Sequence, residues 1–176
     1  MKRQVISEKM FNTDIFKLWK DDWLLLTSGD YPKGKFNCMT VAWGSIGVMW
    51  NRPFVQVVVR PTRYTFEFME KYGTFTLSAF SEKYKEDLSY LGSRSGRNED
   101  KLKKTKLTPA ASEKADSPCY EEAELVIECR KIYASEFRPS EFLDPSIIKN
   151  YQENDYHKVY FGEVLLISGT DSYMSK

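Results

Sequence analysis

Apolar and polar positions change their spacing several times along this chain, and each change predicts an element. Phe11, Ile15, Phe16 and Trp19 fall at helical offsets and predict a helix over Lys9 to Lys20, broken at Asp21-Asp22. Trp23-Leu24-Leu25-Leu26-Thr27-Ser28 reads as a first strand, closed by the turn cluster Gly29-Asp30-Tyr31-Pro32-Lys33-Gly34. Phe36 to Gly44 and Phe54 to Val59 are two β-type runs rich in Val and aromatics. Between them lie a Gly-containing turn and Asn51-Arg52-Pro53, so a strand pair is expected. The second run stops at Arg60-Pro61-Thr62-Arg63-Tyr64-Thr65. A short helix follows to Lys71, with Thr62 as its expected N-cap and Gly73 at its end.

Thr74 to Phe80 alternates polar and apolar residues, as a half-buried strand does. Ser81 is expected to cap a helix carrying Tyr84, Leu88 and Leu91 on one face, with Gly92 just past its C-terminus. Ser93 to Arg97 is a loop, Asp100 to Lys106 a basic stretch, and Ala110 to Pro118 a surface loop. Over Ala123 to Tyr133, Leu125, Ile127 and Cys129 face one way and Glu124, Glu128 and Arg130 the other; only Val126 interrupts the pattern. Pro139 to Tyr151 is expected as a short helical insertion, and Lys158 to Ile167 as the last strand. About six strands with short helices between them and no regular βαβ alternation predict a mainly β fold. A closed or partly closed antiparallel barrel with peripheral helices fits, because closure removes exposed strand edges.

Composition narrows the functional classes. The chain has 176 residues, fitting one domain over 1–176. Lys+Arg 26 against Asp+Glu 25 leaves a formal charge of +1, without the basic excess of a nucleic-acid binder. No run approaches the ~20 apolar residues of a membrane span, and the N-terminus lacks the apolar core of a signal peptide, so a cytoplasmic location is expected. Cys38, Cys119 and Cys129 are at no metal spacing, and His157 is the one histidine, so no metal site is expected. No Gly-x-Gly-x-x-Gly or Walker loop occurs, and no nucleophile elbow accompanies His157. Cys38 reads as a small barrel residue in preference to a redox thiol, having no Cys-x-x-Cys partner.

The chemistry-bearing stretch runs from Phe36 to Thr65. Arg60 and Arg63 beside a helix start oppose its dipole, an arrangement easier to understand with an anion there; Thr65 lies in that first turn. Alternatively the two arginines pair with Glu67, Glu70 or solvent. Asn37, Thr40 and Trp43 offer hydrogen bonds and ring surface to a flat, polar-edged ligand, or are a strand end with a core Trp. Asn37 and Thr40 have opposite strand parity, so a bulge or a backbone amide is needed to bring both to one ligand. Lys101, taken alone, is one lysine of a solvated basic helix, and His157 a lone surface or satisfied histidine.

Three motifs occur in order: Asn37-x-Met39-Thr40-x-x-Trp43-Gly44, Arg60-Pro61-x-Arg63-Tyr64-Thr65, and Asp155-Tyr156-His157. Together they resemble the flavin reductase-like family, which includes the flavoredoxins, from about Asp22 to Gly169. The resemblance implies an FMN-binding split β-barrel of antiparallel Greek-key type. It implies that Asn37, Met39, Thr40, Trp43 and His157 surround the flavin ring. Arg60, Arg63, Tyr64 and Thr65 would lie at its phosphate, joined by Lys101 from Ser95-Gly96-Arg97-x-x-Asp100-Lys101. It further implies a homodimer and an oxidoreductase taking electrons from NAD(P)H or a protein donor and delivering them to a flavin, a metal or a protein. The alternative is a non-catalytic electron-carrier module. No protein residue is expected to be catalytic, because the cofactor carries the chemistry. The short tail is expected to leave the flavin more exposed than in longer relatives.

Overall fold

β2 (Leu24–Asp30) sits between β3 (Lys35–Val41) and β6 (Thr74–Ala79) and is buried on both faces: Leu24, Leu25 and Leu26 follow one another without alternation, and the buried Thr27 and Ser28 hydroxyls are hydrogen-bonded. The computed structural model describes residues 2–175. The remaining strands of the main sheet are β1 (Gln4–Ile6), β4 (Gly44–Met49), β5 (Arg52–Val59), β9 (Leu125–Glu136) and β10 (Lys158–Gly169). Their order is β3-β2-β6-β9-β10-β5-β4, with every ladder antiparallel. The first half of β10 pairs with β5, and its last residues pair with β1 on the same side. β7 (Pro109–Ala110) and β8 (Cys119–Tyr120) form a separate small pair.

The sheet curls so that its apolar positions enclose one core and its outer face carries a second. Leu24, Leu26, Val57, Phe75, Leu77, Leu125 and Ile127 fill the inside. Leu25, Cys38, Val126, Leu88, Leu91 and Tyr120 pack outside, beneath α3 (Lys85–Ser93). The break in alternation at Val126 is thereby explained: its face looks onto a covered layer, not water. Glu128, on that same face and 2% exposed, accepts backbone N–H groups from Glu113, Lys114 and Ala115 at 3.0, 2.6 and 2.9 Å. The segment Ala110 to Pro118 is therefore not a plain surface loop. Ala115, Ser117 and Pro118 are buried, and the Glu128 carboxylate ties the segment to the sheet.

The β9–β10 ladder carries register shifts at Phe161/Gly162, where Ile132 of β9 is the extra residue, and at Val164/Leu166, where Leu165 of β10 is; such irregularities bend a strand pair around a core. A Cβ at Gly162 would overlap the Phe75 ring and come 2.8 Å from Cys129 Cβ, so glycine is required there by close approach. Between β3 and β4 only Ala42 and Trp43 intervene, and among the described residues these two strands share no ladder; the barrel is split at that seam.

Further sequence expectations need correction. The helix expected over Lys9 to Lys20 is confined to α1 (Ile15–Lys17) and a π turn over Leu18–Asp22. Phe11 instead bridges to Met174, and Phe16 is 85% exposed. α2 (Tyr64–Lys71) has Arg63, not Thr62, at its N-cap position, with no side-chain cap. Gly92 lies inside α3, whose C-cap is Arg94. Finally, the expected Gly-containing turn after Gly44 is the edge strand β4 followed by the turn residues Trp50 and Asn51, both at positive φ, so β5 pairs with β4 and β10 while β3 pairs with β2, and the expected pairing of Phe36 to Gly44 with Phe54 to Val59 does not form.

Candidate functional site

The antiparallel ladder pairs Lys158 with Val59, so His157, one residue before, arrives beside Arg60, one residue after. The end of β3 and the split seam supply the third wall. The result is a depression of about 190 Å³ lined by Met39, Thr40, Val41, Ala42, Trp43, Val58, Arg60, Arg63 and His157. The Trp43 ring stands 5.3 Å from the His157 ring and is 49% exposed.

His157 is buried, and its Nδ1 lies 2.9 Å from Tyr151 Oη. Burial, seconded by the positive charge of Arg60 and opposed by Asp155, pulls the imidazole pKa down to about 4. The ring is therefore neutral across the physiological range. Arg60 is committed: it bonds Asp155 Oδ1 at 2.6 Å and the Asn150 carbonyl at 2.7 Å, and lies 5.1 Å over the Tyr151 ring. The hydrogen bond from Arg60 in turn holds Asp155 below the usual carboxylate range. Arg63 differs. It is exposed at the start of α2, and among the described residues its side chain has no hydrogen bond or ion pair.

A larger cleft, about 800 Å³, adjoins along β3. It lies between the start of that strand, the outer face of α2 and residues 96–102, and includes Asn37, Tyr64 and Lys101. Asn37 Nδ2 donates to Thr65 Oγ1 at 2.7 Å and to the Cys38 carbonyl at 3.3 Å. Lys101 is not a solvated residue: it is 4% exposed and its Nζ donates to the carbonyls of Leu91 and Arg94 at 2.6 and 3.1 Å. These carbonyls end α3, where the helix dipole favours a cation. Burial nonetheless lowers the lysine's pKa. The Tyr64 ring lies under Arg97, which also bonds Glu67 at 2.6 Å.

Of the ten residues singled out in the sequence, six thus meet at one depression: Met39, Thr40, Trp43, Arg60, Arg63 and His157. Asn37, Tyr64 and Lys101 line the neighbouring cleft. Thr65 lines neither; it is 1% exposed, and its hydroxyl accepts from Asn37 and donates to the Cys38 carbonyl. The parity problem is real, because β3 pairs with β2 in unbroken register and holds no bulge. Asn37 accordingly turns to α2, while Thr40 Oγ1 donates to the Leu88 carbonyl of α3. Glu67 and Glu70, suggested as partners of the two arginines, are taken by Arg97 and by Lys158 with Tyr160. Tyr151 was not foreseen as a site neighbour, and no local spacing marks it; Arg97 entered only as part of the stretch that leads to Lys101. All three cysteines are free and buried. Among the described residues no helix is long and apolar enough to cross a membrane.

Comparison with known proteins adds the family. The chain superposes on an FMN-binding domain of a flavin reductases-like enzyme from Shewanella baltica OS155 with TM-score 0.68 and 17% identity, covering 96% of this chain and 77% of that one. Flavoredoxin of Desulfovibrio vulgaris (Miyazaki F) matches with TM-score 0.66 and 24% identity over 98% of this chain and 78% of its own. Flavoredoxin from Methanosarcina acetivorans gives 0.67 and 23% over 97% and 79%. These likenesses establish the split-barrel fold. The family model described as flavin reductase like domain matches residues 22–170, which include all ten site candidates. The chain belongs to the flavin reductase-like family.

Proposed function

We propose that the chain, acting as one domain, binds FMN at the Trp43 depression and serves as an FMN-dependent oxidoreductase. Electrons would come from NAD(P)H or a protein donor and pass to a flavin, a metal or a protein acceptor. The observation that carries this reading is the meeting of an uncommitted cation, Arg63, a half-exposed indole, Trp43, and a neutral imidazole, His157, at one site. Arg63 and the free N–H groups at the start of α2 suit the phosphate. Trp43 offers ring surface to a planar group, and His157 offers a hydrogen bond without a net charge. Bound FMN supplies the redox chemistry itself. Arg60 acts differently from Arg63 in this reading: it holds Asp155 and Tyr151 in place behind the imidazole.

The depression is smaller than the ~300–1,000 Å³ of typical ligand pockets, so we propose that a second copy of the chain completes it. The edge strand β4 leaves from Trp43, and at its far end it and its turn expose Val48, Met49 and Trp50, with Tyr133 close to the Trp50 ring, an apolar area suited to a homodimer. Sedimentation of the native protein against Val48→Lys tests this. A monomeric wild type refutes it.

The cofactor reading is tested by the absorbance spectrum of the purified protein. Flavin bands near ~450 nm, with FMN released on denaturation, are expected. A colourless protein that also refuses added FMN overturns the assignment. Anaerobic titration with NADH and NADPH then separates the oxidoreductase, whose flavin bleaches, from an electron-carrying module, whose flavin does not.

A further inference from the structure

The segment between β9 and β10 brings an unforeseen residue to the site. Tyr151 is 3% exposed, and its ring is held by three neighbours. Phe142 stacks on it at 5.7 Å, Tyr156 lies 4.9 Å away, and the Arg60 guanidinium covers it at 5.1 Å. Arg60 fastens the same segment through Asp155 and the Asn150 carbonyl. Tyr151 Oη is therefore a fixed point, and it lies 2.9 Å from His157 Nδ1.

Which partner donates follows from satisfaction. Among the described residues Tyr151 Oη has one hydrogen-bond partner, His157 Nδ1. If Nδ1–H donated, the buried phenol hydrogen would have no acceptor, at the cost of an unmade bond. If the phenol donates, Nδ1 is the acceptor and the imidazole hydrogen sits on Nε2. Nε2 itself has no protein partner among the described residues, while the ring lines the Trp43 depression.

We propose that Tyr151 is a positioning residue that fixes His157 as the neutral Nε2–H tautomer, leaving that N–H as a directed donor for the ligand of the Trp43 depression. That the ligand is FMN rests on the function proposed above. The tautomer does not. The groups facing the ring are Tyr151, Trp43, Arg60, Asp155 and Arg63, and none of them is a second acceptor at Nδ1.

His157 is the only histidine, so the ¹⁵N-labelled protein gives one pair of imidazole nitrogen resonances and needs no assignment. In wild type at neutral pH, Nδ1 is expected at the unprotonated, acceptor position and Nε2 at the protonated one. In Tyr151→Phe, which keeps the stacked ring, Nδ1 is expected to move toward the average of exchanging tautomers. A wild type with the hydrogen on Nδ1, or a Tyr151→Phe spectrum identical to wild type, overturns the proposal; the wild-type spectrum alone is decisive if the variant does not fold. Added FMN is expected to shift Nε2, and Tyr151→Phe to bind FMN about fivefold more weakly, the worth of one hydrogen bond. A fixed tautomer that FMN leaves unmoved sinks the FMN reading and upholds the role of Tyr151.

Discussion

Thr65→Val tests whether the first turn of α2 serves a ligand or the fold. The substitution keeps volume and β-branching, so no cavity opens. Two contacts go: the acceptor for Asn37 Nδ2 at 2.7 Å and the donor to the Cys38 carbonyl at 3.2 Å. Both orphaned groups keep one bond, since Asn37 Nδ2 still donates to the Cys38 carbonyl at 3.3 Å. With Thr65 1% exposed, water does not replace the hydroxyl. The cost is therefore one buried hydrogen bond and part of another, about 1–2 kcal/mol. For a chain of this size that lowers Tm by about 2–8 °C, read by circular dichroism. Thr65→Ser keeps the hydroxyl and recovers most of the loss. FMN titration of the folded variants completes the test. Thr65→Val is expected to bind within about twofold of wild type, whereas Arg63→Gln, which removes a charge-assisted contact, weakens binding about tenfold or more. A Thr65→Val protein that melts like wild type but loses FMN would refute the internal role of the hydroxyl and return Thr65 to the phosphate.

Gly162→Ala forces a methyl into the Phe75 ring and against Cys129, and is expected to cost about 1–3 kcal/mol by urea denaturation; an unchanged midpoint contradicts the close approach. Glu128→Ala frees the backbone amides of Glu113, Lys114 and Ala115, and hydrogen exchange there should speed up while β9 and β10 stay protected. Equal protection in both proteins would show the carboxylate is not the anchor. For His157 the folded pKa, about 4, lies below the unfolded ~6.5, so between these values the unfolded chain binds more protons and stability rises with pH. The contribution is complete above pH ~6.5 and lost as pH falls to about 4, up to about 3 kcal/mol, and His157→Gln should flatten that part of the wild-type profile. A wild type and variant with parallel profiles would place the imidazole in solvent.

The barrel was legible because its long strands carry their own burial signal. β2, β5 and β6 read directly from Leu24-Leu25-Leu26, from Phe54 to Val59 and from Thr74 to Phe80. What the sequence hid depends on distant partners. β1 is three residues whose only ladder among the described residues is with the far end of β10. β4 contains Gly44 and Gly47 and exposes Val48, so neither composition nor alternation marks it. The helical spacing of Phe11, Ile15, Phe16 and Trp19 misleads because Phe11 is claimed by Met174 and only Trp19 of the four is buried in the core. Tertiary pairing overrides a local pattern whenever the pattern is short.

The two arginines show the same limit within the site. Arg60 and Arg63 stand in one motif, three residues apart, flank the same turn, and are indistinguishable by local sequence. Their roles part because β5 and β10 are antiparallel neighbours and Arg60 ends on the side where the returning chain delivers Asp155, 95 residues away. Arg63 lies beyond the turn, at the start of α2, where no carboxylate reaches it among the described residues. The motif therefore places two cations here, and only the topology says which one holds Tyr151 and His157. Arg60→Gln should accordingly weaken the Tyr151–His157 pair and release the Nδ1 resonance as Tyr151→Phe does, while Arg63→Gln leaves that resonance in place and weakens FMN. Identical spectra for the two arginine variants would mean the division of labour drawn here is wrong.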